Sequence, residues 1–193
     1  VQDETVPYRY TDAFLLGQAN QGLKRIQLLR PDLFATIGTV VCTQGEVVHS
    51  APSDSLRLIE VHSVVGGNRL VEVNRESLDQ NVPSWPVDTE AAAINWMRNP
   101  RSPNSFYIYP PAPAGQSLNV EYSQIPPTYD GTTTVTLLTD AFIPALVDVV
   151  VFLAESIDNE HVTSDRAKMF QELFLTEMGR TVSSVPVTDT KYA

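Results

Sequence analysis

The sequence predicts an α+β fold in which a discontinuous α-helical bundle carries a large inserted β domain, and three observations support that prediction. Apolar residues recur at helical spacing near the start of the chain and again in its last third. Between those stretches the period changes to two. Most of the 14 prolines fall in or beside that middle region, which excludes long helices there. One helix and a distant helix pair bury their apolar stripes against each other, so the β stretch is an insertion into a bundle. The expected division is a bundle from 1–36 and 139–179, an antiparallel sandwich or barrel-like β domain over 37–138, and an extended tail from Arg180 to Ala193.

The first helix covers Thr11 to Leu29, with Leu15, Ala19, Leu23, Ile26 and Leu29 on one face. Thr11 or Asp12 caps its free N–H groups, and Pro31 disfavours helical geometry in the residue before it. In the middle region, Leu56, Leu58, Glu60 and His62 alternate with Arg57, Ile59, Val61 and Ser63, the signature of a strand. Further extended runs lie at Thr39 to Thr43, Arg69 to Asn74, Ser105 to Tyr109, Leu118 to Gln124 and Thr133 to Leu138. Gly66-Gly67-Asn68 reads as a hairpin turn, because glycine and asparagine accept the positive φ that tight hairpins demand. After Thr139-Asp140, a second helix places Phe142, Leu146, Val149, Val150, Leu153 and Ile157 on one face, with Pro144 harmless in its first turn. A third runs from about Thr163 to Met178, with Gly179 placed to close it.

Composition narrows the function classes. The net charge of −10 comes from 23 acidic and 13 basic residues, with no basic run beyond Lys24-Arg25. That argues against a nucleic-acid reader, whose affinity rests on clustered cations. Cys42 stands alone, so no disulfide framework exists, and its apolar neighbours mark it as a buried thiol. Pro144 and Asp148 interrupt the most apolar run, Ile143 to Ala154, which falls short of the roughly 18 residues a membrane span needs. The first residues have neither the basic start nor the apolar core of a secretion signal.

The chemistry-bearing residues form no catalytic pattern. His49, His62 and His161 lack metal-ligand or nucleophile-base spacing, and the hydrolase, phosphate-loop and dinucleotide motifs are missing. The expectation is a protein that is not an enzyme and holds no metal or cofactor. Aromatic residues gather in the middle region at Trp85, Trp96, Phe106, Tyr107, Tyr109, Tyr122 and Tyr129. They serve either as a stacking platform or as core, with Phe106 and Ile108 facing inward, and the lack of a basic groove favours core. The alternative function is a carbohydrate- or receptor-binding tail module using Trp85, Trp96 and Tyr109.

Several short motifs in a fixed order carry a resemblance. Arg9-Tyr10-Thr11-Asp12, Leu15-Leu16 and Asn20 to Phe34, including Arg30-Pro31-Asp32, resemble the opening helix of the bacteriophage head-to-tail adaptor proteins. Leu56 to Val65, Leu78-Asp79, Pro83-Ser84-Trp85, Phe106 to Tyr109 with Pro110-Pro111, Leu118 to Tyr122 and Pro126-Pro127 follow in that family's order. Ala167, Phe170, Phe174 and Gly179 resemble its closing helices. The family opens with a further helix before Arg9-Tyr10, whose end would survive in Val1 to Glu4.

The resemblance implies a structural virion protein at the neck, assembled in the host cytoplasm. It implies a dodecameric ring that docks beneath the portal protein, with a tail or nozzle protein below and genomic double-stranded DNA passing through without sequence-specific contact. The tail then becomes a strap onto the portal, with Arg180, Val182, Val185, Pro186, Val187 and Tyr192 as contact candidates. Arg30, Pro31, Asp32, Trp85, Tyr109, Pro110 and Pro111 are its family-motif positions.

Overall fold

The computed structural model describes residues 10–132, 137–157 and 164–183. Among them are four helices, α1 (Asp12–Leu29), α2 (Arg75–Asn81), α3 (Ile143–Ile157) and α4 (Ser164–Ser183). The strands are β1 (Ala35–Val41), β2 (Val48–Ser50), β3 (Ser55–Val64), β4 (Val71–Glu72), β5 (Asn95–Arg98), β6 (Ser105–Tyr109) and β7 (Ser117–Gln124). Two compact units result, one from Val1–Leu33 with Pro126–Ala193 and the other from Phe34–Ile125.

The helical unit packs α3 against both α1 and α4. The Thr11 side chain caps α1 by accepting from the Phe14 N–H at 3.2 Å, and Pro31 opens a 3-10 turn, Pro31–Phe34, where the helix stops. The buried face of α1 is Gln18, Gly22, Leu23, Ile26 and Gln27, which corrects the expected stripe: Leu29 is 49% exposed. The reason is Gly22. A Cβ there would lie 2.8 Å from Val149 Cγ1, so α3 approaches the bare backbone and turns the contact face toward it. On α3, Ala145 and Val149 are buried, as are Leu153 and Ala154. Asn20 fixes the following segment to α1, accepting from the Tyr129 N–H at 2.8 Å and donating to the Tyr129 carbonyl at 2.9 Å. The expected stop at Gly179 is also corrected, since α4 continues to Ser183. A glycine costs a helix interior only about 1 kcal/mol, and buried Phe174 and Met178 anchor the preceding turns.

The β unit holds two open sheets, ordered β1-β7-β3 and β2-β6-β5-β4; neither closes into a barrel. Both sheets supply the core: Leu58 and Val61 from β3, Leu118, Val120 and Tyr122 from β7, and Trp96, Phe106 and Ile108 from β5 and β6. Phe106 and Ile108 are the inward residues of β6, matching the alternation of the sequence.

Two expectations for this unit change. On β3 the buried residues are Ser55, Leu58 and Val61, three apart instead of two, because register shifts against β7 interrupt the ladder. The Gly66 turn forms, with φ +70° and the Gly67 N–H bonded to the Val64 carbonyl at 2.9 Å, but the second arm is not a full hairpin strand. It makes a single bridge, Ser63 with Arg69, and then joins the other sheet as β4, which pairs parallel with β5. The sandwich is therefore mixed, not wholly antiparallel. Of the expected strand at Thr133 to Leu138, 133–136 lie outside the described residues.

Candidate functional site

A cluster of polar and aromatic side chains in the β unit is built around α2. Asn74 caps this helix by accepting from the Glu76 N–H at 2.9 Å. The Arg75 guanidinium lies 4.6 Å from the Tyr107 ring centroid and donates to the Tyr107 hydroxyl at 3.0 Å. Trp85 meets the same ring edge-on at 6.0 Å, and its indole N–H donates to Asp79 at 2.6 Å. On the neighbouring strands Arg98 holds Glu72 at 2.7 Å, stacks 5.0 Å from the Trp96 centroid and donates to the Ile59 carbonyl at 2.7 Å. The resulting cleft of about 700 Å³ is lined by Glu72, Arg75, Asp79, Arg98 and Arg101 among others. Within it Arg98 pairs with Glu72 and Arg75 lies 3.6 Å from Asp79, so these charges are matched inside the cleft.

The aromatic rings suggested as a stacking platform are occupied. Trp85 is 2% exposed and Trp96 fully buried, so neither offers a face to a sugar. Tyr109 donates to Asp88 at 3.0 Å, and that bond holds its phenol above the ordinary tyrosine range. Pro111 is buried, and its carbonyl accepts from the Ala91 N–H at 3.1 Å. Arg30 and Asp32 form a bidentate pair, 2.9 Å at Nε and 2.7 Å at Nη2, bracketing Pro31 where the chain leaves α1. The motif positions thus fall into two groups, Arg30-Pro31-Asp32 after α1 and Trp85, Tyr109, Pro110 and Pro111 in the β unit. Of the tail positions, Arg180 and Val182 belong to α4, while Val185, Pro186, Val187 and Tyr192 lie outside the described residues.

Sequence spacing missed one cluster. Cross-strand register brings Glu60 opposite Glu121, with His62 between them, its Nε2 3.0 Å from Glu121 and its Nδ1 4.0 Å from Glu60. Arg69 also engages Glu60 at 3.1 Å, so both carboxylates already have partners within their own chain. Only the β3–β7 pairing joins these residues, 59 positions apart for His62 and Glu121.

Among the described residues, neither Cys42 nor His49 is paired for nucleophilic work. Burial raises the Cys42 thiol above its ordinary range, opposed by a weak Gln116 contact at 3.9 Å. His161 lies outside the described residues. Burial lowers the His49 imidazole below its ordinary range, partly offset by its 3.2 Å hydrogen bond to the Glu46 carbonyl. A depressed folded value means that His49 favours the fold above the unfolded value, and that this contribution is lost as pH falls through the folded one. Denaturant midpoints are accordingly expected to fall between about pH 7 and pH 5. His49→Gln should flatten that slope; an unchanged slope would assign the dependence to other groups.

A family model described as SU10 adaptor protein matches residues 1–190. No curated protein matches the chain.

Proposed function

Because this chain belongs to the SU10 adaptor protein family, a phage head-tail adaptor family, we propose that it forms a ring seated beneath the portal and linking the capsid to the tail. The family is one of structural virion components, and no helix among the described residues is long and apolar enough to cross a membrane. The observation that carries the reading is the extent of the match, 1–190 of 193 residues, which takes in both compact units.

In this reading twelve copies form the ring as they meet the portal in the host cytoplasm. The helical unit faces the portal, and a tail or nozzle protein binds below. The segment beyond α4 straps onto the portal, with Arg180 and Val182 at its root and Val185, Pro186, Val187 and Tyr192 along it. Cyclic rings need two different patches that meet between neighbours. Genomic DNA passes through the ring without sequence readout. The excess of 23 acidic over 13 basic residues supports a channel that repels phosphate.

Light scattering on a sizing column tests the reading. The chain mixed with the portal protein of the same genome is expected to co-elute at the mass of one portal ring plus about twelve subunits, the number the adaptor resemblance implies for a closed ring. Separate elution at low and moderate salt would overturn the proposal. Deleting residues 184–193, which leaves α4 whole, is expected to weaken co-elution at least tenfold, about 1.4 kcal/mol. Unchanged co-elution would remove the strap while leaving the ring.

A further inference from the structure

The three-stranded sheet of the β unit has one closed edge and one open edge. With β7 central, the edges are β3 and β1. Along β3 the Leu58 N–H donates to the Pro103 carbonyl at 2.9 Å, the Ile59 carbonyl accepts from Arg98 at 2.7 Å, and the His62 carbonyl accepts from the Leu70 N–H at 2.9 Å. Backbone and a guanidinium from the same unit thus cover that edge.

β1 has no such cover among the described residues. The Cys42 N–H donates to the Gln116 carbonyl at 2.9 Å, and the same register continues through Val40↔Leu118, Gly38↔Val120 and Thr36↔Tyr122. Antiparallel ladders alternate, so these even-numbered residues exchange bonds with β7, while Ala35, Ile37, Thr39 and Val41 turn their N–H and C=O groups outward. The side chains of the same four residues are exposed, Ile37 at 65% and Val41 at 74%. β1 also contains no charge and no proline, the usual devices that keep an edge from pairing.

We propose that β1 is a self-pairing edge, on which β1 of a second copy of this chain lies antiparallel to make one continuous six-stranded sheet. Strand length selects the occupant. Of the other edge strands among the described residues, β2 has three residues, β4 has two and β3 is covered, so among these β1 alone offers a seven-residue partner. Full overlap sets Ile37 opposite Thr39 of the second copy and Ala35 opposite Val41. Every such pair is uncharged, and three of its four residue types are β-branched, the kind that packs well across strands. The two copies also shield each other's apolar side chains, which are otherwise exposed.

Such a contact is two-fold and closes at two copies, whereas neighbours in a cyclic ring meet through different patches. The pair is therefore a form of the unassembled subunit, and ring formation must open it. Only this last step rests on the ring reading.

Light scattering on the full chain alone, without portal, tests the pairing apart from the ring. The expected mass is twice 21.3 kDa. Thr39→Lys sets a charge on the edge, and Thr39→Pro removes an outward N–H without touching the β7 ladder. Both are expected to halve the mass while the circular dichroism spectrum is kept. Oxidative cross-linking reads the orientation: Ile37→Cys subunits mixed with Thr39→Cys subunits should give several times more covalent dimer than either alone, with buried Cys42 as silent background. A wild-type chain of single mass, a double mass that survives Thr39→Lys, or a mixture that cross-links no better than its components would overturn the proposal.

Discussion

Trp96→Ala is expected to destabilise the β unit by about 3–5 kcal/mol, the range for emptying a buried aromatic site. The indole is fully buried at the centre of β5, packed with Phe106 and Ile108 and covered on one side by the Arg98 guanidinium. Removing it leaves a void bounded by strands of both sheets, which collapse poorly because their ladders hold the backbone apart. Domains of this kind have only about 5–15 kcal/mol of net stability, so the loss is a large share of the total. Urea unfolding followed by the fluorescence of Trp85, the other tryptophan, checks it. Trp96→Phe should recover a good part of the loss. A loss below about 1 kcal/mol, typical of surface positions, would mean that Trp96 is not the centre of the core.

Gly22→Leu is expected to cost the helical unit about 3 kcal/mol or more, the upper range for overpacking. A Cβ at Gly22 would already lie 2.8 Å from Val149 Cγ1 and 3.1 Å from Leu146 Cδ1. The Leu146 contact involves a rotatable side-chain end, but the Val149 methyl is fixed by its β-branch and by a helix that packs on α4 as well. Gly17 supplies the control. Nothing lies within 4 Å of a Cβ built there, so Gly17→Ala should stabilise α1 by about 0.5–1 kcal/mol through helix propensity. Thermal unfolding followed at the helical dichroism band distinguishes the two. Equal small effects would show that α3 is free to move away from α1.

The local elements that were legible from the sequence have short-range causes. Thr11 and Pro31 bracket α1 through an N-cap and a steric stop, both of which act within a few residues. Phe106 and Ile108 turn inward because alternation is a property of any extended strand. The short helix α2 went unread because its seven residues have no buried side chain and hence no apolar stripe to mark them. β2, of three residues, is too brief to show a period.

Sequence by itself determined the class of this protein: α+β, helices at both ends of a proline-rich β region, no catalytic motif, and an ordered series of motifs pointing to the adaptor family. Each of these follows from spacing, composition or order along the chain. Tertiary structure decided what depends on meetings between distant residues. Gly22 rotated the buried face of α1, register shifts moved the buried face of β3, and β3–β7 pairing gathered Glu60, His62 and Glu121. It also decided which strand edge is covered among the described residues, because that depends on segments some forty residues away, such as Arg98 reaching Ile59. Periodicity tells a strand which side chains turn inward, but only the folded sheet tells it whether it has a neighbour.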